Sequence, residues 1–221
     1  MSSVEAQRRG QALLRHRRPL THLFKRLIDF IGAACLCVVL APVFLVIGLL
    51  VALDGGPVFY RHRRIGRYGV PFGCLKFRTM ILGADRCLDE YLALHPEAEH
   101  EWQKEQKLTF DPRITPIGRF LRRTSLDELP QLINVLFGEM SLVGPRPVTQ
   151  GELRHYGKAE EDYLSVRPGI TGLWQISGRN DVSYAQRVAL DQTYVSKLSL
   201  WGDAVILLKT PAIVLSKRGA R

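Results

Sequence analysis

The sequence contains little cysteine, and its few cysteines do not stand in a pattern that binds metal or forms disulfides. They occupy positions 35, 37, 74 and 87, two of them inside an apolar run, and none belongs to a C-x-x-C pair. Their spacing therefore indicates neither a zinc site nor a disulfide framework. We expect a protein that works in a reducing environment, such as the cytosolic face of a membrane.

Acidic residues are also in short supply. The sequence has 21 of them against 31 lysines and arginines, which gives a formal net charge of +10. An excess of this size favours an anionic partner, which could be nucleic acid, anionic lipid or a phosphorylated substrate. The sequence shows no helix-turn-helix, zinc-finger or aromatic RNA-binding signature. A nucleic-acid-binding module thus rests on charge alone, and we expect no nucleic acid among the partners.

One stretch lacks charge altogether. The 24 residues from Phe30 to Leu53 carry no charged side chain, and this length is enough to span a bilayer. The run is too long for a secretory signal peptide, and no cleavage motif follows it. Basic residues stand close to both of its ends: Arg15, Arg17, Arg18, Lys25 and Arg26 before it, and Arg61, Arg63, Arg64 and Arg67 after it.

The position of Pro42, near the middle of this run, leaves two topologies open. Lysine and arginine beside a membrane segment prefer the cytoplasmic side, so a kinked spanning helix would put one basic cluster on the opposite side. A bent, re-entrant helix keeps both clusters on the cytosolic side, with two arms of about 11–12 residues that each reach roughly 17–18 Å. We favour the re-entrant helix, assign it to residues 25–56, and treat residues 1–24 as a basic N-terminal segment.

Two adjacent carboxylates, Asp127 and Glu128, stand within "RRTSLDELPQLINVL". One explanation is structural, because Ser125 followed three residues later by Glu128 forms a capping-box pattern at the start of a helix. The alternative is that the pair performs chemistry beside the two arginines that precede it. Taken alone, the pattern favours the cap.

Other basic residues are placed to contact an anion. The run "GGPVFYRHRRIGRYGVPFGCLKFRTM" predicts a β-hairpin around a glycine turn. Lys76 and Arg78 stand two apart, so on a strand they share one face and form either a phosphate clamp or a solvated edge. Arg146 lies between two prolines in "SLVGPRPV", a rigid loop that suits anion recognition. The glycine-rich "SVRPGITGLWQISGRND" places Arg167 either near a ligand or in a tight turn.

Several motifs together resemble a known family. From Lys25 to about Leu215 the sequence is similar to the bacterial sugar transferases, the monotopic polyprenyl-phosphate phosphoglycosyl transferases. The length is similar to that of small members without additional N-terminal transmembrane helices. The central block is highly specific, and the motifs are "KRLIDFIGA", "GPVFYRHRRIGRYG", "KFRTM", "DPRITPIGRFLRRTSLDELPQLINVLFGEMSLVGPRP" and "RPGITGLWQISGR".

The resemblance implies a specific reaction. Members of the family transfer a sugar-1-phosphate from a UDP-sugar, often UDP-glucose or UDP-galactose in short members, to undecaprenyl phosphate at the start of exopolysaccharide or related glycan synthesis. The Asp-Glu pair of the family falls on Asp127, as the nucleophile, and on Glu128, which is associated with Mg²⁺. The resemblance also places the break of the re-entrant helix at Ala41 and Pro42, although many members have serine before that proline. It further implies the bacterial inner membrane, with its lipid as a partner.

The chemistry of these side chains agrees with that reaction. A phosphoryl group repels a carboxylate nucleophile until metal and basic side chains neutralise its charge. Mg²⁺ takes one or two carboxylates plus substrate phosphates, so Asp127 and Glu128 are the candidate metal ligands. Attack by a carboxylate gives an acyl phosphate, which the lipid phosphate then resolves. The candidate substrate-binding side chains are Lys76, Arg78, Arg122, Arg123, Arg146 and Arg167.

The expected fold is α+β. It comprises a mainly helical small domain with a short β-hairpin, an N-terminal re-entrant membrane helix and interfacial amphipathic helices. Residues 57–221 are expected to form the catalytic domain on the cytosolic face. Near its end, "AVILLKTPAIVL" is too short to span a membrane. With Trp201 before it, this segment suits the membrane interface, and a buried C-terminal helix is the alternative.

A different class of protein would explain part of the sequence. A non-catalytic, membrane-anchored assembly protein would account for the apolar run and the basic charge. It would not account for adjacent carboxylates surrounded by arginines. The sugar, the polymer and the oligomeric state stay open at this point, with a homo-oligomer among the alternatives.

Overall fold

The structure is a computed structural model, and it describes residues 19–105, 107–178 and 182–215. Most of the predicted basic segment 1–24, with Arg15, Arg17 and Arg18, lies outside the described residues.

The charge-free run forms two helices that meet at a bend. Helix α1 spans Pro19–Val39 and helix α2 spans Ala41–Ala52, and the pair is bent by 64°. The sequence placed the break at Ala41 and Pro42, whereas the residue between the helices is Leu40, with φ −90° and ψ 2°. Pro42 lies in the first turn of α2, where a backbone N–H is not needed and the fixed φ of proline suits a helix. The break therefore falls just before the predicted pair.

The outer surface of this bent pair is apolar. Exposed large side chains of both helices include Leu27, Val39, Leu45, Leu49 and Leu50. Among the described residues, no single helix is both long and apolar enough to cross a membrane. The bent pair meets that requirement when its two helices are taken together, by length and composition.

The predicted β-hairpin is confirmed. Strand β1, Phe59–Ile65, pairs antiparallel with strand β2, Pro71–Phe77. The register opposes Tyr60 to Lys76 and His62 to Cys74, so these side chains lie on the same face of the hairpin. The turn between the strands contains two residues with positive φ, Tyr68 at 63° and Gly69 at 76°.

The remaining described chain is mostly helical. It consists of α3 (Ala84–Leu94), α4 (Pro96–Glu105), α5 (Pro116–Thr124), α6 (Gln131–Phe137), β3 (Ser141–Val143), α7 (Gln150–Leu153), α8 (Glu160–Ser165), β4 (Gly169–Thr171), α9 (Leu173–Ile176), α10 (Tyr184–Ser196) and α11 (Leu200–Leu215), with 3₁₀ turns over Leu126–Glu128 and Arg154–Ala159. Strands β3 and β4 pair in parallel, with Ser141 opposite Gly169. The α+β class with a short hairpin is thus confirmed.

One core joins the helical hairpin to the rest of the molecule. Helix α1 packs against α6, and its buried Ala33 belongs to the same cluster as Leu132 and Val135 of α6. The β2 residues Phe72 and Cys74 fill another side of this cluster. Helix α6 therefore packs against both α1 and β2.

A buried network of charges fixes the first turns of α1. The Lys25 ammonium lies 2.6 Å from a carboxylate oxygen of Asp203 at the start of α11. Asp29, one turn after Lys25, accepts hydrogen bonds from the Ser141 hydroxyl at 2.8 Å and from the Leu142 backbone N–H at 3.0 Å. These bonds tie α1 to β3 and α11, which follow the two adjacent carboxylates in the chain.

Candidate active site

The adjacent carboxylates lie in a sharp turn between two helices. Ser125 has φ 58° and ends α5, after which Leu126–Glu128 form a 3₁₀ turn and α6 begins at Gln131. The predicted capping box is wrong, because no side chain caps this turn. Ser125 takes the left-handed conformation that terminates the preceding helix, and it cannot at the same time adopt the extended conformation of an N-cap. The capping box therefore does not explain the pair, although both acids do lie in the first turn of the 3₁₀ segment.

Lys76 joins the two carboxylates. From β2 its ammonium donates to a carboxylate oxygen of Glu128 at 2.7 Å, and it lies 3.5 Å from a carboxylate oxygen of Asp127. The side chain of Asp127 is 10% exposed and those of Lys76 and Glu128 are 24% and 27% exposed. Asp127, the candidate nucleophile, is thus the most buried of the three side chains. Lys76 and Glu128 retain more contact with solvent.

Electrostatics separate the two acids. Burial raises the pKa of Asp127 and outweighs the opposing effect of the Lys76 charge. Burial also acts to raise the pKa of Glu128, but Lys76 and Arg146 outweigh it, and the pKa of Glu128 is lowered. The pKa of Lys76 is raised, since both carboxylates more than offset the effect of its burial. Lys76 and Arg146 together therefore outweigh the burial of Glu128, whereas Asp127 is the less well compensated carboxylate.

A basic cavity opens beside this cluster. Three of its lining side chains carry positive charge, namely Arg64, Lys76 and Arg146, and one carries negative charge, Glu128. Arg64 is held by an ion pair with Glu152 at 2.7 Å. The other lining residues are Cys74, Gln131, Pro147, Gly169, Ile170 and Gln175. The lining side chains carry a net positive charge, which favours an anionic group beside Glu128.

Arg146, which the sequence singled out for anion recognition, lines this cavity. It follows β3, and its guanidinium carbon lies 5.7 Å from the centre of the Trp174 ring. Trp174 is buried and belongs to α9, so the aromatic side chain gives the guanidinium a fixed surface. The charge of Arg146 also contributes to the lowered pKa of Glu128.

Arg122 and Arg123 lie at the end of α5, directly before the turn with the acids. The Arg122 Nε–H donates to the Thr79 hydroxyl at 2.9 Å. Its charge lowers the pKa of Asp127, although less than burial raises it. Arg123 is exposed on the last turn of the same helix. Both arginines are therefore close in the chain to the acids, and Arg122 is also electrostatically coupled to Asp127.

The structure places Arg78 and Arg167 elsewhere. Arg78 lies past the end of β2, where its guanidinium donates to the Val51 carbonyl at 2.9 Å and pairs with Asp54. The Arg167 Nε–H donates to the Gly138 carbonyl at 2.7 Å, after the end of α6. Neither side chain lines the described cavity. In this structure both are bonded to backbone carbonyls, and their proposed contact with substrate stays a prediction.

Comparison with known proteins agrees with the motifs. The family model of the bacterial sugar transferases matches residues 20–217. The chain belongs to the bacterial sugar transferase family. It is 54% identical over 202 residues to the exopolysaccharide production protein ExoY of Sinorhizobium fredii, covering 90% of this chain and 89% of that protein. The family prediction is confirmed, and the chain is a sugar-phosphate transferase.

Two further relatives carry names that state a reaction. The undecaprenyl-phosphate galactose phosphotransferase of Salmonella typhimurium is 48% identical over 200 residues, which cover 90% of this chain and 42% of that protein. The UDP-glucose:undecaprenyl-phosphate glucose-1-phosphate transferase of Caulobacter vibrioides is 37% identical over 212 residues, which cover 92% of this chain and 74% of that protein.

The two acids of this sugar transferase suit Mg²⁺ better than a metal that needs a full protein cage. Within the described residues, no three His, Cys, Asp or Glu side chains gather at one point. Asp127 and Glu128 are neighbours in one turn, and Mg²⁺ is commonly held by one or two carboxylates with substrate phosphates and water. The residues present therefore fit a metal that arrives together with a diphosphate.

Sequence reasoning missed Arg64 as a residue of the cavity. In the hairpin, Tyr60, His62 and Arg64 alternate on β1 and share the face that carries Lys76 on β2. The same alternation that singled out Lys76 could therefore have indicated Arg64. Gln131 and Gln175, which also line the cavity, had no comparable signal, because the loops and helices that bring them together are distant in the chain.

Proposed function

We propose that this protein transfers a sugar-1-phosphate from UDP-glucose or UDP-galactose to undecaprenyl phosphate and releases UMP. The proposal includes a role in the first membrane step of exopolysaccharide or related glycan synthesis. It rests on the buried Asp127 beside the Lys76–Glu128 pair, which itself lines a basic cavity. The names of the relatives, which mention galactose, glucose-1-phosphate and exopolysaccharide production, support the choice of substrates.

The reaction has two steps. A carboxylate oxygen of Asp127 attacks the β-phosphorus of the donor, and the bond from that phosphorus to the bridging oxygen breaks, so that UMP leaves with the electron pair. The product is an aspartyl phosphosugar on the enzyme. A phosphate oxygen of undecaprenyl phosphate then attacks the same phosphorus and releases the Asp127 carboxylate. The lipid-linked sugar pyrophosphate is formed, and the enzyme returns to its starting state.

Basic side chains must lower the charge of the donor before a carboxylate can approach it. Lys76 and Arg146 face the cavity, and Arg122 lies on the Asp127 side, so the three can contact different phosphate oxygens. Glu128 would hold Mg²⁺, with Asp127 as a second oxygen ligand nearby. When bound, the metal supplies further neutralisation of the diphosphate.

The acceptor is a lipid, so the site must lie at the depth of its phosphate. In the proposed arrangement, α1 and α2 form a re-entrant hairpin that enters the inner membrane from the cytosol. The 64° bend and the exposed apolar side chains of both helices support this topology. Trp201 and Leu208, which are 79% and 80% exposed on α11, favour an interfacial position for the C-terminal helix.

The decisive experiment labels the protein with the donor alone. A UDP-sugar labelled on the β-phosphate should leave label on the wild-type protein and none on Asp127→Asn, because an amide cannot form the acyl phosphate. Asp89→Asn, at an exposed position of α3, serves as the matched control and should keep the label.

A panel of UDP-sugars with undecaprenyl phosphate, read out as UMP release, identifies the sugar. Near-normal turnover by folded Asp127→Asn would overturn the mechanism, and no turnover with any donor would favour the assembly protein.

A second experiment tests the topology. In a protein whose four native cysteines are replaced, one cysteine is placed near position 17 and, in a separate protein, another at the exposed Val70. Both should resist a membrane-impermeant thiol reagent in intact cells and react after permeabilisation. Reaction of one site in intact cells would establish a spanning helix instead.

A further inference from the structure

Thr79 joins the hairpin to helix α5. It is buried, lies two residues past the end of β2, and its backbone carbonyl accepts a hydrogen bond from the Thr115 N–H at 3.0 Å. A side chain on Gly118, in the first turn of α5, would collide with the Thr79 backbone. The absence of that side chain allows the helix to approach Thr79 closely, so Thr79 and the start of α5 form one rigid unit.

The hydroxyl of Thr79 makes a separate contact with the other end of α5. It accepts the hydrogen bond from Arg122 Nε at 2.9 Å. Among the described residues, this is the hydrogen bond that the structure gives to the Arg122 side chain. A bond at Nε fixes the plane of the guanidinium and leaves both terminal nitrogens available as a fork. The fork is accessible, since Arg122 itself is exposed.

The surroundings of Arg122 indicate where that fork acts. The turn that contains Asp127 begins at Leu126, four residues after Arg122. The Arg122 and Asp127 side chains attract each other electrostatically. Asp111 also attracts Arg122, but both of its carboxylate oxygens are already bonded to Arg113, at 2.8 and 2.7 Å. The terminal nitrogens of Arg122 thus have no competing bond on that side.

We propose that Thr79 is a positioning residue of the transfer reaction. Its hydroxyl holds the Arg122 guanidinium so that the terminal nitrogens meet the phosphoryl group as it transfers to Asp127. This inference rests on the proposed function, because it needs a phosphoryl group at Asp127. In this proposal Thr79 acts only by positioning Arg122, and Thr79 itself does not contact the substrate.

The physical reason lies in the length of the arginine side chain. A free guanidinium on a flexible stem must be ordered in every catalytic cycle, and this ordering raises the barrier of the step in which it acts. The buried Thr79 hydroxyl, which accepts a hydrogen bond from Arg122 Nε, holds the guanidinium in place before the donor binds. Serine can supply the same bond, whereas valine has the shape of threonine and cannot.

The test compares Thr79→Val, Thr79→Ser and Arg122→Gln in the first step, with UDP-sugar alone and protein labelling as the readout. Thr79→Val should lower the labelling rate about 10-fold, with donor KM changed less than the rate. Thr79→Ser should stay within about 2-fold of wild type. In the double-mutant cycle, Thr79→Val should not lower the labelling rate further once Arg122→Gln is present. The reason is that Thr79 acts only through the guanidinium that Arg122→Gln removes.

Thr124→Val provides the matched control for loss of a hydroxyl in α5. Its hydroxyl donates to the backbone carbonyls of Phe120 and Leu121 rather than serving an arginine, so labelling should continue at the wild-type rate. If Thr79→Val does not fold, as judged by thermal unfolding, Thr79→Ala replaces it. Independent effects of Thr79→Val and Arg122→Gln, or a serine variant as slow as the valine variant, would overturn the inference. These outcomes leave labelling of Asp127 intact, whereas failure of the proposed function removes the label from the wild-type protein.

Discussion

Two clusters in this molecule have nearly the same composition and opposite environments. Each consists of one lysine and two carboxylates. The active-site cluster is Lys76, Asp127 and Glu128, and the anchor cluster is Lys25, Asp29 and Asp203. The two clusters carry the same charge. They differ in how many hydrogen bonds their carboxylates accept inside the protein and in how far their side chains are exposed to solvent.

In the anchor cluster every bond is made inside the protein. Both oxygens of Asp29 accept from β3, and the second oxygen of Asp203 accepts from the Tyr194 hydroxyl at 2.9 Å. The lysine and both aspartates are at most 10% exposed in their side chains. In the active-site cluster, Asp127 accepts from Lys76 at 3.5 Å, and no shorter bond to its carboxylate is found among the described residues. Carboxylates whose hydrogen bonds are all made inside the protein stabilise the fold. A carboxylate that lacks short hydrogen bonds and lies near a cavity can instead bind a ligand or react with it.

The comparison predicts a large loss of stability at the anchor. Lys25→Met removes the cation from two buried carboxylates, and breaking a buried pair in this way costs about 3–5 kcal/mol. We therefore expect a marked decrease in thermal stability in detergent, while the labelling rate per folded molecule changes little. Asp203→Asn with Lys25→Met should recover part of the loss, since the carboxylate is then neutral. A stable single variant would contradict the structural role of the cluster.

The opposite result is expected at the active-site cluster. Lys76→Met removes a preorganised positive charge beside the phosphoryl group, and the loss of one such group lowers the rate about 10²–10³-fold. Stability should decrease less than in Lys25→Met, because Lys76 and Glu128 retain contact with solvent. The measurement is UMP release together with thermal unfolding of the same preparations. A variant that unfolds but retains its rate when folded would make Lys76 another anchor.

The same contrast explains which features could be predicted from the sequence. Two β-rich runs around a glycine turn were enough to predict the β-hairpin. The alternation of side chains along a strand was enough to predict on which face of the hairpin Lys76 lies. The capping box did not form, because Ser125 takes its conformation from the end of the preceding helix. The three-residue strands β3 and β4 were missed, since strands so short carry little pattern and their pairing is distant in sequence.

Within the candidate site, local patterns located the acids, and tertiary packing decided which cations reach them. Arg146 lines the cavity, whereas Arg78 lies just past the strand and pairs with Asp54. The anchor cluster was not predicted at all. Lys25 and Asp203 are 178 residues apart, and no local pattern connects them.

Arg146 tests the cavity side of the active-site cluster with a smaller expected effect. Arg146→Lys keeps the charge but loses the planar fork and the contact with the Trp174 ring. We expect a decrease of about 10-fold or more in kcat/KM for the donor, with folding intact. Arg86→Lys, whose side chain is 86% exposed on α3, is the control and should leave the value unchanged. Unchanged kcat and donor KM in Arg146→Lys would remove this residue from the site.

Asp191 offers an intermediate case between the two clusters. One of its oxygens accepts from the Tyr156 hydroxyl at 2.8 Å, and the other is buried without a hydrogen-bond partner. Burial raises the pKa of Asp191 to about 6, although the bond from Tyr156 and the charges of Arg187 and Arg146 oppose the shift. It is therefore as buried as the anchor carboxylates, but less well satisfied.

The raised pKa fixes the sign of a pH effect on stability. Because the folded-state pKa exceeds the unfolded value of about 3.9, the contribution of Asp191 is fully present below that value and is lost as pH rises through about 6. Asp191→Asn cannot ionise and can still accept from Tyr156. Its stability relative to wild type should be about 1–2 kcal/mol more favourable near pH 7.5 than near pH 5, measured by denaturant unfolding at both values. Asp89→Asn, whose carboxylate is exposed, should show no such difference. An equal difference at both pH values would mean that the Asp191 carboxylate is compensated as well as those of the anchor cluster.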